Sequence, residues 1–527
     1  MNESFFGLNI AVRGLFTAQR NLSVVGHNLN NVNTPGFSRQ QAVQVAARPM
    51  ALFDGTGMLG TGSDIISIQR VRDEYLDFKY WSESVTSGEW EAKKELLNEL
   101  EVTFNEPSDS GFVTIQNEFF NSLQELAKDP SSAAVRELVC QKGAQLANYF
   151  NSTAVHLEKL QSDANYNIRV KVEEVNSLAE QIRQLNQQIY IAELDGSNAN
   201  DLRDRRTLLV DNLSKIVNME ASEVVTGKLP DGRDDKRFII TISGKALVDH
   251  FHVTKLKVEQ RKTKLNEDVD ISGLYEVGWE DGNKLTIKGG ELKGYLDIRD
   301  GNEGLNGSPS NKGIPYYMRK MNEFVRTFAM AFNEGLIDLD GDGTIDDGSG
   351  HADGYTLNST TGIRFFTMLG DNGQPLTSAE FEELPGDISE KYNKVTAKNF
   401  CVGYEVSNDP NNISTSDAPG EVGNIETLNA IIKMRHNTHM FIEGKPEDFM
   451  KSIVATLGID SQQAKMRADS QRVMVNQIEN RRLSNSGVSI DEEMTNLVRF
   501  QHSYNAAAKM IQTMSEIYEI LINGLWR

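Results

Sequence analysis

The chain has 527 residues, of which 54 are basic and 75 acidic, and its formal charge of −21 opposes a role in binding DNA or RNA. Hydrophobic residues make up 39% and mean hydropathy is −0.43, which suits a polar chain with cores spread over three or four domains. Two cysteines, Cys140 and Cys401, exclude a disulfide framework.

Met1 to Leu15 carries Glu3 and Arg13 and has no basic stretch leading into an apolar run, so it does not read as a secretory leader. Apolar runs such as Phe238-Ile239-Ile240 are far too short to span a membrane. On these grounds alone the chain reads as cytoplasmic. From Leu8, a heptad places Leu8, Leu15, Leu22 and Leu29 at a and Ala11, Ala18, Val25 and Val32 at d, a narrow seam suited to close helix packing. Asn30, Asn31 and Asn33 weaken that helix, and Thr34-Pro35-Gly36 ends it.

Residues 38–82 read as strand and loop, with Ile65 to Ile68 as a strand, and 86–190 as mostly helical. The clearest helical piece repeats Ile168, Val175, Ile182 and Ile189 with Leu178 and Leu185. A capped helix is expected over Ser197–Val217, then short β-branched runs from Ala221 to Asp300, including Phe238–Ile242 and Leu285–Ile287. Helix returns over 314–335 with Met321, Phe324 and Phe328 on one face. Turn signals dominate 336–420, and helix resumes near Asn424. The last helix opens at Ser489 and Glu492 as a capping box, with Asp491, Glu492 and Glu493 at its positive end. Its seam sets Ile490, Leu497, Tyr504, Ile511, Tyr518 and Leu525 against Phe500, Ala507, Met514 and Leu521 over roughly 50 Å.

The fold class expected is an elongated multidomain α+β protein: terminal helices paired as a coiled coil, a helical-bundle rod, and inserted β-rich modules. The division expected is 1–50 with 485–527 as the terminal coiled coil, and 51–220 with 300–335 and 421–484 as the rod. Residues 221–299 form one β-rich module and 336–420 an outer β- and loop-rich one.

Gly26 to Gln40, with Asn31, Asn33, Pro35, Gly36 and Phe37 at its centre, resembles the N-terminal motif of bacterial flagellar rod, hook and hook-associated axial proteins. Ser486 to Glu493, followed by Leu497 and Gln501 to Ala508, resembles the matching C-terminal motif. Asn200 to Arg206, Gly294 to Asp300 and Thr396 to Phe400 resemble segments of the hook-associated branch that stands at the hook–filament junction. The resemblance implies a structural subunit without catalysis. It implies export through the flagellar type III apparatus without a cleaved signal, and an extracellular place in the flagellum. The implied partners are further copies in a ring or helical array, the hook protein, a second junction protein, and an export chaperone on the C-terminal helix. No nucleic acid and no membrane insertion are expected. The alternatives are a hook or rod protein, or an axial scaffold carrying a calcium-binding surface module. The assembly residues expected are Leu8, Leu15, Leu22, Leu29, the five motif residues Asn31 to Phe37 named above, Ile490, Leu497, Phe500, Tyr504, Ile511, Met514, Tyr518 and Leu521.

Other signals carry less. Gly55-x-Gly57-x-x-Gly60 matches a dinucleotide fingerprint in letters but has a strand, Ile65 to Ile68, where the helix should follow, so it reads as loop. His436, His439 and Glu443 would share a helix face, and His250 with His252 a strand face, yet neither set has the ligand number zinc requires. Asp338, Asp340, Asp342 and Asp346 have calcium-loop spacing around Gly343, but Ser349 stands where a bidentate Glu is needed. A plain acidic turn is the reading preferred. No catalytic constellation, no cofactor and no H-E-x-x-H motif is found.

Overall fold

A computed structural model describes residues 6–51, 57–104, 111–230, 232–337 and 346–524. Helix α1 spans Phe6–Asn30 and stops where the asparagine run begins; the turn beyond it places Gly36 at φ 75°, a conformation that favours glycine. β1 (Gln40–Ala46), β2 (Met50–Ala51), β3 (Met58–Leu59) and β4 (Ser63–Arg70) follow, β1 pairing antiparallel with β4 and β2 with β3.

Helix α2 spans Glu74–Phe104, so it begins inside the stretch read as strand and loop; the Asp73 carboxylate accepts from the Tyr75 N–H at 3.0 Å and starts the helix there. α3 (Phe112–Lys128) and the 60-residue α4 (Ala133–Ala192) come next. On α4 the expected Ile168, Val175, Ile182, Ile189 and Leu178 are buried, while Asn186 takes the inward place beside half-buried Leu185. α5 (Asn200–Ile216) lacks the side-chain cap expected; the Glu193 carboxylate accepts from the Ala199 N–H at 3.0 Å instead.

β5 (Glu220–Lys228), β6 (Asp234–Ile242), β7 (Lys245–Asp249) and β8 (His252–Val253) form an antiparallel sheet in that order, and β9 (Leu256–Gln260) pairs with β10 (Tyr275–Trp279). Residues 285–287 are not a strand, and Glu291–Asp300 is helix α6. The glycines that read there as turns serve close packing: a Cβ on Gly294 would lie 2.6 Å from the Glu89 carbonyl of α2. α7 (Ile314–Glu334) buries Met321, Phe324 and Phe328 as expected and ends at Gly335, φ 69°. Short elements follow: β11 (Leu336–Ile337), β12 (Asp346–Asp347), β13 (Phe366–Met368), α8 (Ser378–Glu382), α9 (Ile388–Tyr392), β14 (Phe400–Val402) and α10 (Tyr404–Asn408). α11 (Glu426–Met434), α12 (Pro446–Ser486) and α13 (Ile490–Gly524) complete the chain.

Phe324 of α7 lies 5.1 Å from both Phe112 and Phe150, and Phe366 stacks 4.8 Å from Phe400, so aromatic rings knit α3, α4, α7 and the short strands into one core. Each such ring contributes about 1.5–3 kcal/mol by burial. Two antiparallel helix pairs order the rest. Glu101 meets Ser461 and Asp77 meets Arg482, which pairs α2 with α12. Gly7 lies against Met514, Gly14 against Ala507 and Asn28 against Glu493, which pairs α1 with α13. The two ends of the chain therefore run side by side.

Candidate assembly site at the base of the terminal helices

The α1/α13 seam is narrower than the heptad suggests. Ala11, Ala18 and Val25 are buried, together with Thr17, Asn21, Val24 and Asn28, whereas Leu8, Leu15, Leu22 and Leu29 are half-buried along the edge. Val32 lies past the end of the helix. On α13, Leu497, Phe500, Tyr504, Ile511, Met514 and Tyr518 are half-buried on the inner face, and only Glu493 is fully buried. Ile490 and Leu521 are exposed, as are Met494, Val498, Ile517 and Ile520. Leu525 lies outside the described residues.

Below the seam the chain changes from apolar to ionic contacts. The Asn28 amide donates to the Gln40 carbonyl at 2.9 Å and to Glu493 at 3.1 Å, and its oxygen accepts from the Gln40 N–H. The Arg39 guanidinium bridges Glu493 at 2.9 Å and Glu492 at 3.0 Å. The Glu492 N–H lies 3.5 Å from the Ser489 hydroxyl, while the Glu492 carboxylate turns to Arg39. Asp204 of α5 accepts from the Ser38 N–H and hydroxyl, both at 2.8 Å, and from Arg70 at 3.0 Å. Gln40 and His27 both reach Asp201. Arg72 holds Asp77 with two bonds; Asp77 and Asp211 in turn hold Arg482 of α12 at 3.0 and 2.9 Å, and the Trp81 indole donates to Asp211. Burial holds the Asp211 carboxyl above its usual range, and Arg482 offsets that only in part.

This latch joins three of the sequence segments singled out above: 26–40, 200–206 and 486–493. Asn31 accepts from Thr34 and donates to the His27 carbonyl, Phe37 sits edge-on to His27 at 5.4 Å, and Gly36 packs against Leu208, where a Cβ would lie 3.2 Å away. Asn33 and Pro35 face solvent. The acids that complete the latch, Asp77 and Asp211, carried no signal in the sequence, because their partners stand up to 405 residues away in Arg482.

The remaining motifs do not converge. α11 ends at Met434, so His436, His439 and Glu443 share no helix, and Glu443 pairs with Lys320 at 3.1 Å. His250 occupies a turn at φ 53° between β7 and β8, and its buried ring nitrogens find no partner; His252 is exposed. His250 and His252 therefore share no strand face. Gly55, Asp338, Asp340 and Asp342 lie outside the described residues, as does the side chain of Asp346; β3, not a helix, follows Gly57. Among the described residues no three His, Cys, Asp or Glu side chains gather as a metal site, and no helix is long and apolar enough to cross a membrane. Cys140 and Cys401 are free thiols.

Family models match along the chain in the same order as these elements. A "Flagella basal body rod protein" model matches residues 8–37. A "Flagellar hook-associated protein FlgK helical domain" model matches 97–347. A "Flagellar basal body rod FlgEFG protein C-terminal" model matches 479–524. Flagellar hook-associated protein 1 of Bacillus subtilis (strain 168) is 29% identical over 546 residues, covering 100% of this chain and 99% of that protein. The protein of the same name from Escherichia coli (strain K12) is 24% identical over 589 residues, covering 98% and 99%. The solved structure of the flagellar hook junction protein FlgK from Burkholderia pseudomallei shares the fold at a TM-score of 0.56 and 13% identity, covering 79% of this chain and 100% of that one.

Proposed function

We infer that the chain belongs to the flagellar hook-associated protein 1 family and is a structural subunit of the bacterial flagellum, polymerising where the hook meets the filament and joining the two. The observation that carries this reading is the end-to-end likeness: both terminal models and the hook-associated helical model fall on one chain in the order the fold requires. Rod-type ends alone would serve a hook or rod protein equally; the middle of the chain favours the junction.

The exposed apolar residues of α13, including Met494, Val498, Ile517 and Ile520, support packing of the terminal helices against those of neighbouring copies. Leu8, Leu15, Leu22, Leu29, Leu497, Phe500, Tyr504, Ile511, Met514 and Tyr518 form the inner contact of this assembly face, and Ile490 and Leu521 belong to its outer side. Before assembly the same stripe suits an export chaperone. The hook protein and a second junction protein are the neighbours along the axis, and the chain reaches the cell exterior without a cleaved signal. Residues 1–50 with 485–527 act as the assembling coil, whereas Glu291–Asp300 and the strands around Phe366 and Phe400, expected within β-rich modules, pack into the helical core. The role is mechanical and not enzymatic.

Deletion of the gene followed by electron microscopy tests the reading. Hooks without filaments, with filament protein lost to the medium, are expected. Loss of the hook itself would move the chain to a rod or hook role.

A further inference from the structure

One inward position of α4 breaks the apolar repeat: Asn186 is buried where the heptad calls for Leu185. Its amide donates to the His250 carbonyl at 2.9 Å, and its oxygen accepts from Arg206 Nη1 at 3.0 Å. One buried side chain thus fixes both the β7–β8 turn and the second turn of α5. Arg206 is itself only 5% exposed, with its guanidinium over the Phe238 ring at 3.8 Å. The Glu223 carboxylate stands 3.6 Å from Arg206 Nη2, beyond a hydrogen bond, and accepts from Arg203 at 3.2 Å instead. Burial, with repulsion from Arg203, holds the Arg206 guanidinium down to about 9. A buried cation in such a place is short of negative charge.

Arg206 lines a cleft of about 450 Å³ between the C-terminal end of α4, the start of α5 and the β5–β6 hairpin. Among the described residues five lysines and arginines and four carboxylates line it, an excess of one positive charge in a chain whose net charge is −21. His250 lines it as well, is 9% exposed, and has a hydrogen bond at neither ring nitrogen. Burial lowers that imidazole, so at neutral pH the ring offers one N–H and one bare nitrogen. Water satisfies an imidazole but brings no charge to Arg206. An oxyanion does both, and the planar guanidinium fork matches its paired oxygens.

We propose that this cleft binds a small oxyanion of phosphate or carboxylate type, with Arg206 and His250 as its principal contacts. The part of the guanidinium that Glu223 does not reach takes oxygens of the anion, and the imidazole N–H takes another oxygen or a neighbouring hydroxyl. The bound anion bridges α5 and the β7–β8 turn, and so ties the four-stranded sheet to the helical core. The segment 200–206 then serves two sites at once: Asp201 and Asp204 belong to the latch, and Arg203 and Arg206 to the cleft.

Isothermal titration calorimetry of the full chain at pH 7, with inorganic phosphate and separately with succinate, tests the site. One saturable site per chain is expected for at least one of the two, and the tighter binder shows which type of oxyanion the cleft takes. His250 sits at φ 53°, a conformation that asparagine also adopts, so His250→Asn should keep the turn and lower the affinity roughly tenfold or more. Arg206→Gln, with its circular dichroism checked, should abolish the binding. No binding of either anion, the same saturable binding by chloride, or an affinity unchanged in His250→Asn would overturn the proposal. The junction reading rests on other residues and stands under each of those results.

Discussion

Replacing Arg482 by Met should destabilise the rod end by about 3 kcal/mol at pH 7, and the deficit should shrink in acid. Arg482 is buried and serves Asp77 at 3.0 Å and Asp211 at 2.9 Å. Removing one member of a buried ion pair costs about 3–5 kcal/mol because the other charge is left without compensation. Asp77 keeps both bonds to Arg72, so the loss falls on Asp211, which retains the Trp81 indole alone; that places the cost at the lower end of the range. Loss of the stacking of Arg482 over Tyr80, at 4.3 Å, adds a term on the order of 1 kcal/mol that does not vary with pH. Burial already raises the Asp211 carboxyl, so the folded chain binds that proton more readily than the unfolded one. Between the unfolded and folded pKa, stability therefore falls as pH rises. Without Arg482 the folded pKa climbs further and the window widens toward neutrality. Urea unfolding followed by tryptophan emission, in which Trp81 reports the site, measures this, and Asp211→Asn in the Arg482→Met background should recover most of the loss. A deficit below about 1 kcal/mol at pH 7, or one that is constant from pH 7 to pH 4, would refute the reasoning.

Gly88→Ala should lower the melting temperature although alanine is the better helix former, because its Cβ would lie 2.1 Å from the Lys215 carbonyl and must push α5 from α2. Overpacking of this kind costs about 1–3 kcal/mol against a gain of at most about 1 kcal/mol, so a stabilised variant would contradict the packing described. His351 donates from Nδ1 to the Ile363 carbonyl at 2.7 Å and accepts at Nε2 from the Ser414 N–H at 2.9 Å, which requires the neutral ring. Burial holds this imidazole down to about 4, so its stabilisation is complete above pH 6.5 and is lost as pH falls through 6.5 toward 4, by on the order of 3 kcal/mol. His351→Phe should flatten that slope in urea midpoints taken across this range. Leu15→Asp and Ile511→Asp, each charging a half-buried seam position, should leave the melting of the rod unchanged and abolish incorporation into flagella; normal filaments would mean that the seam is not the assembling surface.

The periodic helices were legible from the sequence because a seam repeats. Ile168, Val175 and Ile182 of α4, and Met321, Phe324 and Phe328 of α7, sit in the core as their spacing requires. Which edge of α1 is innermost was not legible. The heptad distinguishes a and d from the polar faces, but the close approach of Gly7 and Gly14 to α13 turns the small d residues inward and leaves the leucines at the rim. α6 was misread because a glycine needed for contact, such as Gly294 against α2, is written with the same letter as one needed for a turn. The latch was legible only where its parts fall in motifs. Ion pairs between residues hundreds of positions apart leave no local pattern, and Asp77, Asp211 and Arg482 have none.

An apolar seam with a seven-residue repeat has a weakness that the latch corrects. Sliding α13 by one heptad along α1 would again set small residues against large ones, so the seam alone defines register poorly. The polar contacts are not periodic. Asn28 satisfies Gln40 and Glu493 together, and Glu493 is 1% exposed. A slip of seven residues would leave that carboxylate buried without Asn28 or Arg39, at a cost of several kcal/mol. The latch is thus a register device more than a source of stability, and this can be measured. A Cβ on Gly14 would lie 3.9 Å from the Ala507 Cβ, within disulfide reach. Gly14→Cys with Ala507→Cys should cross-link efficiently, and Gly14→Cys with Met514→Cys should not. Adding Asn28→Leu and Glu493→Leu should keep the helix content and allow the second cross-link to form. If the 14–507 bond remains the sole product in that background, the apolar seam sets its own register and the latch has another purpose.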